Sequence, residues 1–286
     1  MNGILIVDKP KGYTSRDVVN SIERLANTKK VGHGGTLDPI ATGVLVVALG
    51  NGLKVLEYLS NDDKEYVATV KMGIETNTLD VTGTVTKKKE YFFFDAVKLD
   101  EVLKSFVGKY NQEVPLYSSV KVGGQRLYKY AREGLTVVLP KREVTIYNLD
   151  LISNTSDEFV IRTTVSKGTY IRSLIRDIGN KLGIPCTMKE LKRTRQGNFT
   201  IDEAVSMEEL ESGNIKPIPI EKALKGIIFV PADEALEKKI MNGAILDNVY
   251  AETIVGFKNS KNEVIALYKV YEKDITKIKP LKVFKE

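Results

Sequence analysis

Apolar positions fall along this chain at two spacings, one suited to strands and one to helices. Ile4 to Val7 is an unbroken apolar run, the pattern of a strand buried on both faces. Val18, Val19, Ile22 and Leu25 then recur at helical spacing, and Ser15 is expected to cap that helix. A glycine-rich loop from Gly32 to Gly43 leads into a second apolar strand, Val44–Leu49. Leu53, Leu56 and Leu59 suit a short helix. Tyr66 to Met72 predicts a strand in which Val67 and Thr69 alternate with Ala68 and Val70. Val102, Leu103 and Phe106 mark another short helix, and residues 144–152 and 159–165 a pair of strands. The strongest helical pattern follows. Ile171, Leu174, Ile175, Ile178 and Leu182 lie on one face, and Gly183 stops the helix.

Residues 115–141 mix Tyr, Lys, Arg and Gly and read as an excursion from the sheet. Pro217, Pro219 and Pro231 punctuate the chain beyond residue 213. After them come a helix at Asp233 to Asn242 and strand-like runs at 254–257, 264–270 and 278–284. The expected fold class is α+β, with a small, separate, mostly β module from about residue 228.

Composition narrows the chemistry. His33 and Cys186 are the sole members of their types, too few for a Cys₂His₂ or Cys₄ zinc site or an intrachain disulfide. A Ser-His-Asp triad would have to use His33. The N-terminus has no basic segment before its short apolar run and does not read as a signal peptide. Val44 to Leu49 is far shorter than the ~20 residues of a membrane span. A soluble, cytoplasmic protein is therefore expected, without metal and without membrane association. Its chemistry is left to carboxylate, hydroxyl, phenol, guanidinium and amine groups. The net charge of +6 suits a polyanion partner.

The segment GHGGTLDPIATGVL, Gly32 to Leu45, concentrates candidate chemistry. Asp38 precedes Pro39, which holds it out of the α region on a loop braced by a buried strand. On local sequence alone, a plain Asp-Pro turn reads equally well. A phosphate-cradling Walker loop does not, because these glycines enter a strand and no Gly-Lys-Ser/Thr enters a helix. A second candidate stands in SKGTYIRSLIRDIG, Ser166 to Gly179. If Thr169 caps the helix, Arg172 is its third residue. A cation there opposes the helix dipole at a cost of roughly 0.3–1 kcal/mol, which a nearby anion would offset. Asp38 is the expected partner.

These residues closely resemble the TruB family of tRNA pseudouridine synthases. GHGGTLDPIATGVL is similar to the family's catalytic motif, and DKPKGYTS, Asp8 to Ser15, to its N-terminal motif. KEYVATVKMG from Lys64 and KGTYIRSL from Lys167 resemble its tyrosine and arginine motifs. LKRTRQGNF from Leu191 resembles the segment closing the uridine pocket, and Pro115 to Gly134 the RNA-binding thumb. The likeness runs in order over about residues 2–205. One departure is Gly34-Gly35, where many members have Thr-Gly.

The resemblance implies a pseudouridine synthase fold, a central, mostly antiparallel mixed sheet flanked by helices. It places the catalytic domain at 1–227, with a thumb insertion at about 112–142. A weaker likeness, through Asn242-Gly243 and Lys279-Pro280 to Phe284, implies a PUA-like RNA-binding domain at 228–286. The implied activity is isomerisation of uridine 55 in the tRNA T loop, by base flipping and without a cofactor. The expected partner is the T arm of tRNA, and the expected state is a monomer. By resemblance, Asp38 is the nucleophilic aspartate, Arg172 its ion-pair partner, and Tyr66 the residue that stacks on the uracil. Whether Asp38 attacks the nucleotide or takes a sugar proton, and whether Tyr66 removes the C5 proton or only stacks, stays open here. Tyr170 and Leu191 match pocket-lining residues, His33 an RNA contact, and Lys9 and Pro10 a brace of the site. Lys121, Arg126, Lys129, Arg132, Lys189, Lys192, Arg193 and Arg195 form two basic clusters with Tyr117, Tyr128 and Tyr130 interleaved. Both are expected to meet RNA.

Overall fold

The structure is a computed structural model, and it describes residues 1–60, 63–90 and 96–285. The chain divides into two compact units. One comprises Met1–Asp38, Leu45–Asn61 and Asn198–Glu286; the other comprises Pro39–Val44 and Asp62–Gly197. No helix among the described residues is long and apolar enough to cross a membrane.

In the first unit, β1 (Gly3–Lys9) lies beside β3 (Thr42–Leu49). Helix α1 (Ser15–Leu25) packs Val18, Val19 and Ile22 against Leu5, Val7, Leu45, Val47 and Leu49. Its cap is Thr14, not Ser15. The Thr14 hydroxyl accepts the Asp17 N–H at 3.1 Å, and the Asp17 carboxylate accepts the Thr14 N–H at 2.8 Å. The reason is reciprocity: a cap at Ser15 would place Val18, which has no acceptor, where Asp17 now answers Thr14. The segment expected as loop from Gly32 onward opens as strand. β2 (Val31–His33) pairs antiparallel with β3, His33 opposite Val47.

The second unit is built on β4 (Lys64–Met72), β5 (Gly108–Glu113), β6 (Lys141–Asn154), β7 (Glu158–Val165) and β8 (Cys186–Gln196). They run in the order β8-β4-β7-β6-β5, each antiparallel to its neighbours. Thr42 and Gly43 add in parallel to Lys192 and Arg193 of β8, which makes the sheet mixed. Lys64, Tyr66, Ala68, Val70 and Met72 form the buried face of β4. Between β4 and β6 lie α2 (Ala96–Lys104), a hairpin of Lys121–Val122 with Gln125–Arg126, and α3 (Leu127–Glu133). Helix α4 (Ile171–Leu182) buries Ile171, Leu174, Ile175, Ile178 and Leu182, and ends at Gly183 with φ 73°. The residue flanking its start is Tyr170, not Thr169, so Arg172 is the second helical residue. The Thr169 hydroxyl is committed instead to the turn before it, donating to Ser166 O at 2.8 Å.

The rest of the first unit holds β9 (Ile228–Pro231), α5 (Glu234–Met241), β10 (Ile254–Lys258), β11 (Val264–Tyr271) and β12 (Asp274–Val283). With Leu246–Asp247 the strands form a five-stranded sheet, β9-β10-β11-β12 and then 246–247. Val255, Phe257, Ala266, Tyr268 and Ile278 form its core with Ile240 of α5. Asp233 caps α5, accepting the Leu236 N–H at 2.8 Å.

Candidate active site

In the first unit the turn leading to Asp38 hangs from two anchors. Gly34 N–H donates to Val46 O at 2.8 Å. Ser15, buried at the start of α1, accepts the Leu37 N–H through Oγ at 2.9 Å and donates back to Leu37 O at 3.3 Å. The residue before Asp38 is thereby tied to a helix through both of its backbone polar groups. Asp38 itself is half-buried, immediately before the turn at Pro39-Ile40. His33 is half-buried in β2. Lys9, expected with Pro10 to brace the site, is fully buried. Its Nζ donates to Pro10 O at 2.9 Å and to Tyr13 O at 2.6 Å. The ammonium closes the DKPKGYTS turn and so sets where Thr14 and Ser15 stand. It is a brace, not a surface for RNA.

In the second unit, Tyr66 and Leu191 are both 7% exposed. Tyr66 is opposite Arg193 of β8 and Thr163 of β7, and Leu191 is opposite Ala68. Directly opposed residues share a face, as do residues two apart, so Tyr66, Leu191 and Arg193 face the same side of the sheet. Arg172 is 5% exposed. Its Nη1 donates to Thr78 O at 2.9 Å and its Nη2 to Tyr117 O at 3.1 Å. The turn that presents Thr78 O is itself fixed. Asp80 Oδ1 accepts the Thr78 hydroxyl at 2.8 Å and the Thr82 N–H at 2.9 Å. These bonds hold Leu79 at φ 63°, a left-handed conformation that costs a residue with a Cβ roughly 1–2 kcal/mol.

Behind Arg172, Arg176 pairs with Asp177 at 2.9 Å and Glu113 at 3.0 Å. Burial nonetheless pushes the Asp177 carboxyl above its usual range, against the pull of Arg176. Tyr170 is half-buried, and its backbone is held by Gln112. Gln112 Oε1 accepts the Tyr170 N–H at 2.7 Å, and Nε2 donates to Tyr170 O at 3.1 Å. Sequence reasoning missed Gln112, Ser15's tie to Leu37, and Asp80. The partners of Ser15 and Gln112 lie 22 and 58 residues away, beyond the reach of local pattern.

The basic residues divide. Lys121, Arg126, Lys129, Arg132 and Lys192 are exposed, and Arg132 lies 5.5 Å over the Tyr128 ring. Arg193, expected to face RNA, is 1% exposed, with Nε donating to Val44 O at 2.6 Å. The strand period explains the error: Lys192 points outward, so Arg193 points inward. Arg195 is also engaged within the protein, forking onto Asp63 at 2.9 and 3.3 Å and donating to Gly197 O at 2.8 Å. Lys189 donates to Glu158 at 2.7 and 2.9 Å.

Solved structures share the fold. The chain matches a Cbf5-Nop10-Gar1 complex structure with a TM-score of 0.72 at 29% identity, covering 99% of this chain and 85% of that one. An archaeal box H/ACA sRNP Nop10-Cbf5 complex matches with a TM-score of 0.68 at 28% identity, covering 99% and 86%. The fold is that of the pseudouridine synthases, which are isomerases. The TruB family pseudouridylate synthase N-terminal domain matches residues 23–171. The tRNA pseudouridylate synthase B C-terminal domain matches residues 172–237. Proteins called tRNA pseudouridine synthase B are 44% identical in Bacillus licheniformis, over 86% of this chain and 84% of the relative. The Staphylococcus saprophyticus protein of that name is 40% identical over 99% of each. The chain belongs to the TruB family.

Proposed function

We propose that this enzyme acts on tRNA, converting uridine 55 of the T loop to pseudouridine with Asp38 as nucleophile. The reaction breaks the N1–C1′ bond, turns the uracil and joins C5 to C1′; the C5 proton leaves to solvent and N1 takes one up. It is an isomerisation, so no redox equivalent enters or leaves. Asp38 supplies the ionised carboxylate. Arg172 is its counter-ion. Tyr66 stacks on the uracil, with Tyr170, Leu191 and His33 contacting the extruded nucleotide. Extrusion from the stacked loop costs a few kcal/mol, and stacking on an aromatic ring returns about 1–3 kcal/mol per base.

The observation that most supports this reading is the placement of Asp38. A half-buried carboxylate follows a residue whose N–H and C=O are both held by a buried serine. A carboxylate carried next to backbone held that closely suits chemistry better than a solvated turn. The exposed Lys121, Arg126, Lys129 and Lys192 meet phosphates, and residues 228–286 serve as a PUA-like RNA-binding module.

Tritium release from [5-³H]uridine-labelled tRNA tests the assignment. Wild type should release label and Asp38→Asn should not. Carbodiimide mapping of the product should place a single stop at position 55. Equal release by both proteins would end the catalytic assignment, and a stop elsewhere would end the positional one.

A further inference from the structure

Helix α4 starts without a side-chain cap of its own, whereas α1 and α5 each carry one. Its first residues are nevertheless where the proposed chemistry stands, with Tyr170 flanking the helix and Arg172 second within it. The backbone groups at such an end need partners from elsewhere. They come from β5. Gln112, 1% exposed, accepts the Tyr170 N–H through Oε1 at 2.7 Å. Its Nε2 donates to Tyr170 O at 3.1 Å and to Tyr110 Oη at 2.5 Å. The same Tyr170 carbonyl accepts Leu174 N–H at 3.0 Å, the first bond of the helix. One planar amide thus satisfies both polar groups of a single residue, as a neighbouring strand would. A glutamine suits the task because it offers a donor and an acceptor on one rigid group. The next residue of β5, Glu113, holds Arg176 one turn further along α4 at 3.0 Å. β5 therefore grips the helix at two successive points.

We propose that Gln112 is a positioning residue for the isomerisation. It fixes the Tyr170 backbone and, through the first turn of α4, the direction from which Arg172 leaves the helix. The proposal rests on the catalytic reading of Arg172 and Asp38. Gln112 meets backbone and a half-buried phenol, so its effect runs through the helix and not through RNA binding.

The test compares wild type, Gln112→Met and Gln112→Glu, with Asp38→Asn in parallel, in single-turnover assays at saturating tRNA and in tRNA-binding titrations. Methionine keeps the length and removes the hydrogen bonds. Misplacing a positioned group by about 1 Å can cost on the order of 100-fold, so Gln112→Met should turn over about 10–100-fold more slowly. Its tRNA affinity, set mainly by phosphate contacts, should be unchanged. Gln112→Glu gives a readout that bulk stability would not move. A buried carboxyl has a raised pKa. Protonated, it offers the O–H donor and carbonyl acceptor of the amide; ionised, it only accepts. Its rate relative to wild type should therefore climb as pH falls. A folded Gln112→Met with wild-type turnover overturns the proposal. If that variant fails to fold, a pH-independent ratio for Gln112→Glu overturns it instead. If Asp38→Asn keeps its activity, the catalytic reading fails by itself, whatever Gln112 does.

Discussion

Gly43 is where one added methyl group should do the greatest damage. It has φ 98°, where a residue with a Cβ is disfavoured by roughly 1–2 kcal/mol. A Cβ there would stand 2.2 Å from Arg193 O and 2.9 Å from Arg193 N. Ordinary contact begins at 3.4 Å, so the carbonyl would have to retreat from 2.2 to 3.4 Å. Backbone on a central strand cannot swing aside as a flexible side chain would. The retreat breaks the parallel pairing of Thr42 and Gly43 with Lys192 and Arg193. It also draws the buried Arg193 Nε away from Val44 O, now 2.6 Å distant. A hydrogen bond to a charged group contributes about 1.5–3 kcal/mol, so Gly43→Ala should cost about 2.5–5 kcal/mol in all. Gly183→Ala is the control. Gly183 also has positive φ, at 73°, but nothing lies within 4 Å of its would-be Cβ, so only the conformational cost applies. Urea unfolding followed by far-UV circular dichroism measures both. If Gly43→Ala costs no more than Gly183→Ala, the close-approach reasoning is refuted.

Ser15→Ala should destabilise by about 1–3 kcal/mol, because it strands the buried Leu37 N–H. It should also lower turnover while tRNA affinity holds, since Leu37 adjoins Asp38; a rate unchanged at saturating tRNA would separate that anchor from the chemistry. Lys192→Ala should reduce the slope of log affinity against log salt by about 1. Arg193→Met should leave the slope alone and lower the urea midpoint instead, because that guanidinium is buried. Tyr268 should make the five-stranded sheet sensitive to alkali. Burial raises its phenol from 10 to about 12. The unfolded chain therefore loses this proton first, and the stability it confers is complete below pH 10 and lost between pH 10 and about 12. Tyr268→Phe should flatten that fall in urea midpoints measured against pH, and an equal fall in the variant would assign it to another group.

Elements set by local periodicity were legible in the sequence. α4 could be read from five apolar positions and a terminal glycine, and β1 from an unbroken apolar run, because burial writes those patterns directly. Helix starts were less legible. Thr14 and Ser15 are both good caps, and the choice turned on the residue three places on. At α4 the hydroxyl of Thr169 went to Ser166 O, and a glutamine 58 residues earlier in the chain took its place. Nothing local to Tyr170 announces that partner. The stray strand at Val31–His33 has the same origin: a glycine-rich run reads as loop until a partner strand completes it.

The motifs raise a subtler point, since likeness to a family marks positions as required without saying what requires them. Lys9, Gly43 and Arg193 stand in the matched segments beside Asp38, Tyr66 and Arg172. Arg193, expected to meet RNA, and Lys9, expected to brace the site, both form their hydrogen bonds inside the protein. The ammonium of Lys9 is spent on two carbonyls of its own turn, and the guanidinium of Arg193 reaches the carbonyl of Val44. Carbonyl partners fix a cation's position inside the protein, where bound RNA could not reach it without unfolding the turn or the strand. The exposed Lys121, Lys129 and Lys192 have the accessibility the buried pair lacks. Electrostatic attraction for RNA is therefore to be sought in the exposed lysines, while the buried cations of the motifs act on the protein's own backbone. Substitutions in the two groups should separate cleanly, one changing salt dependence and the other changing stability and turnover together.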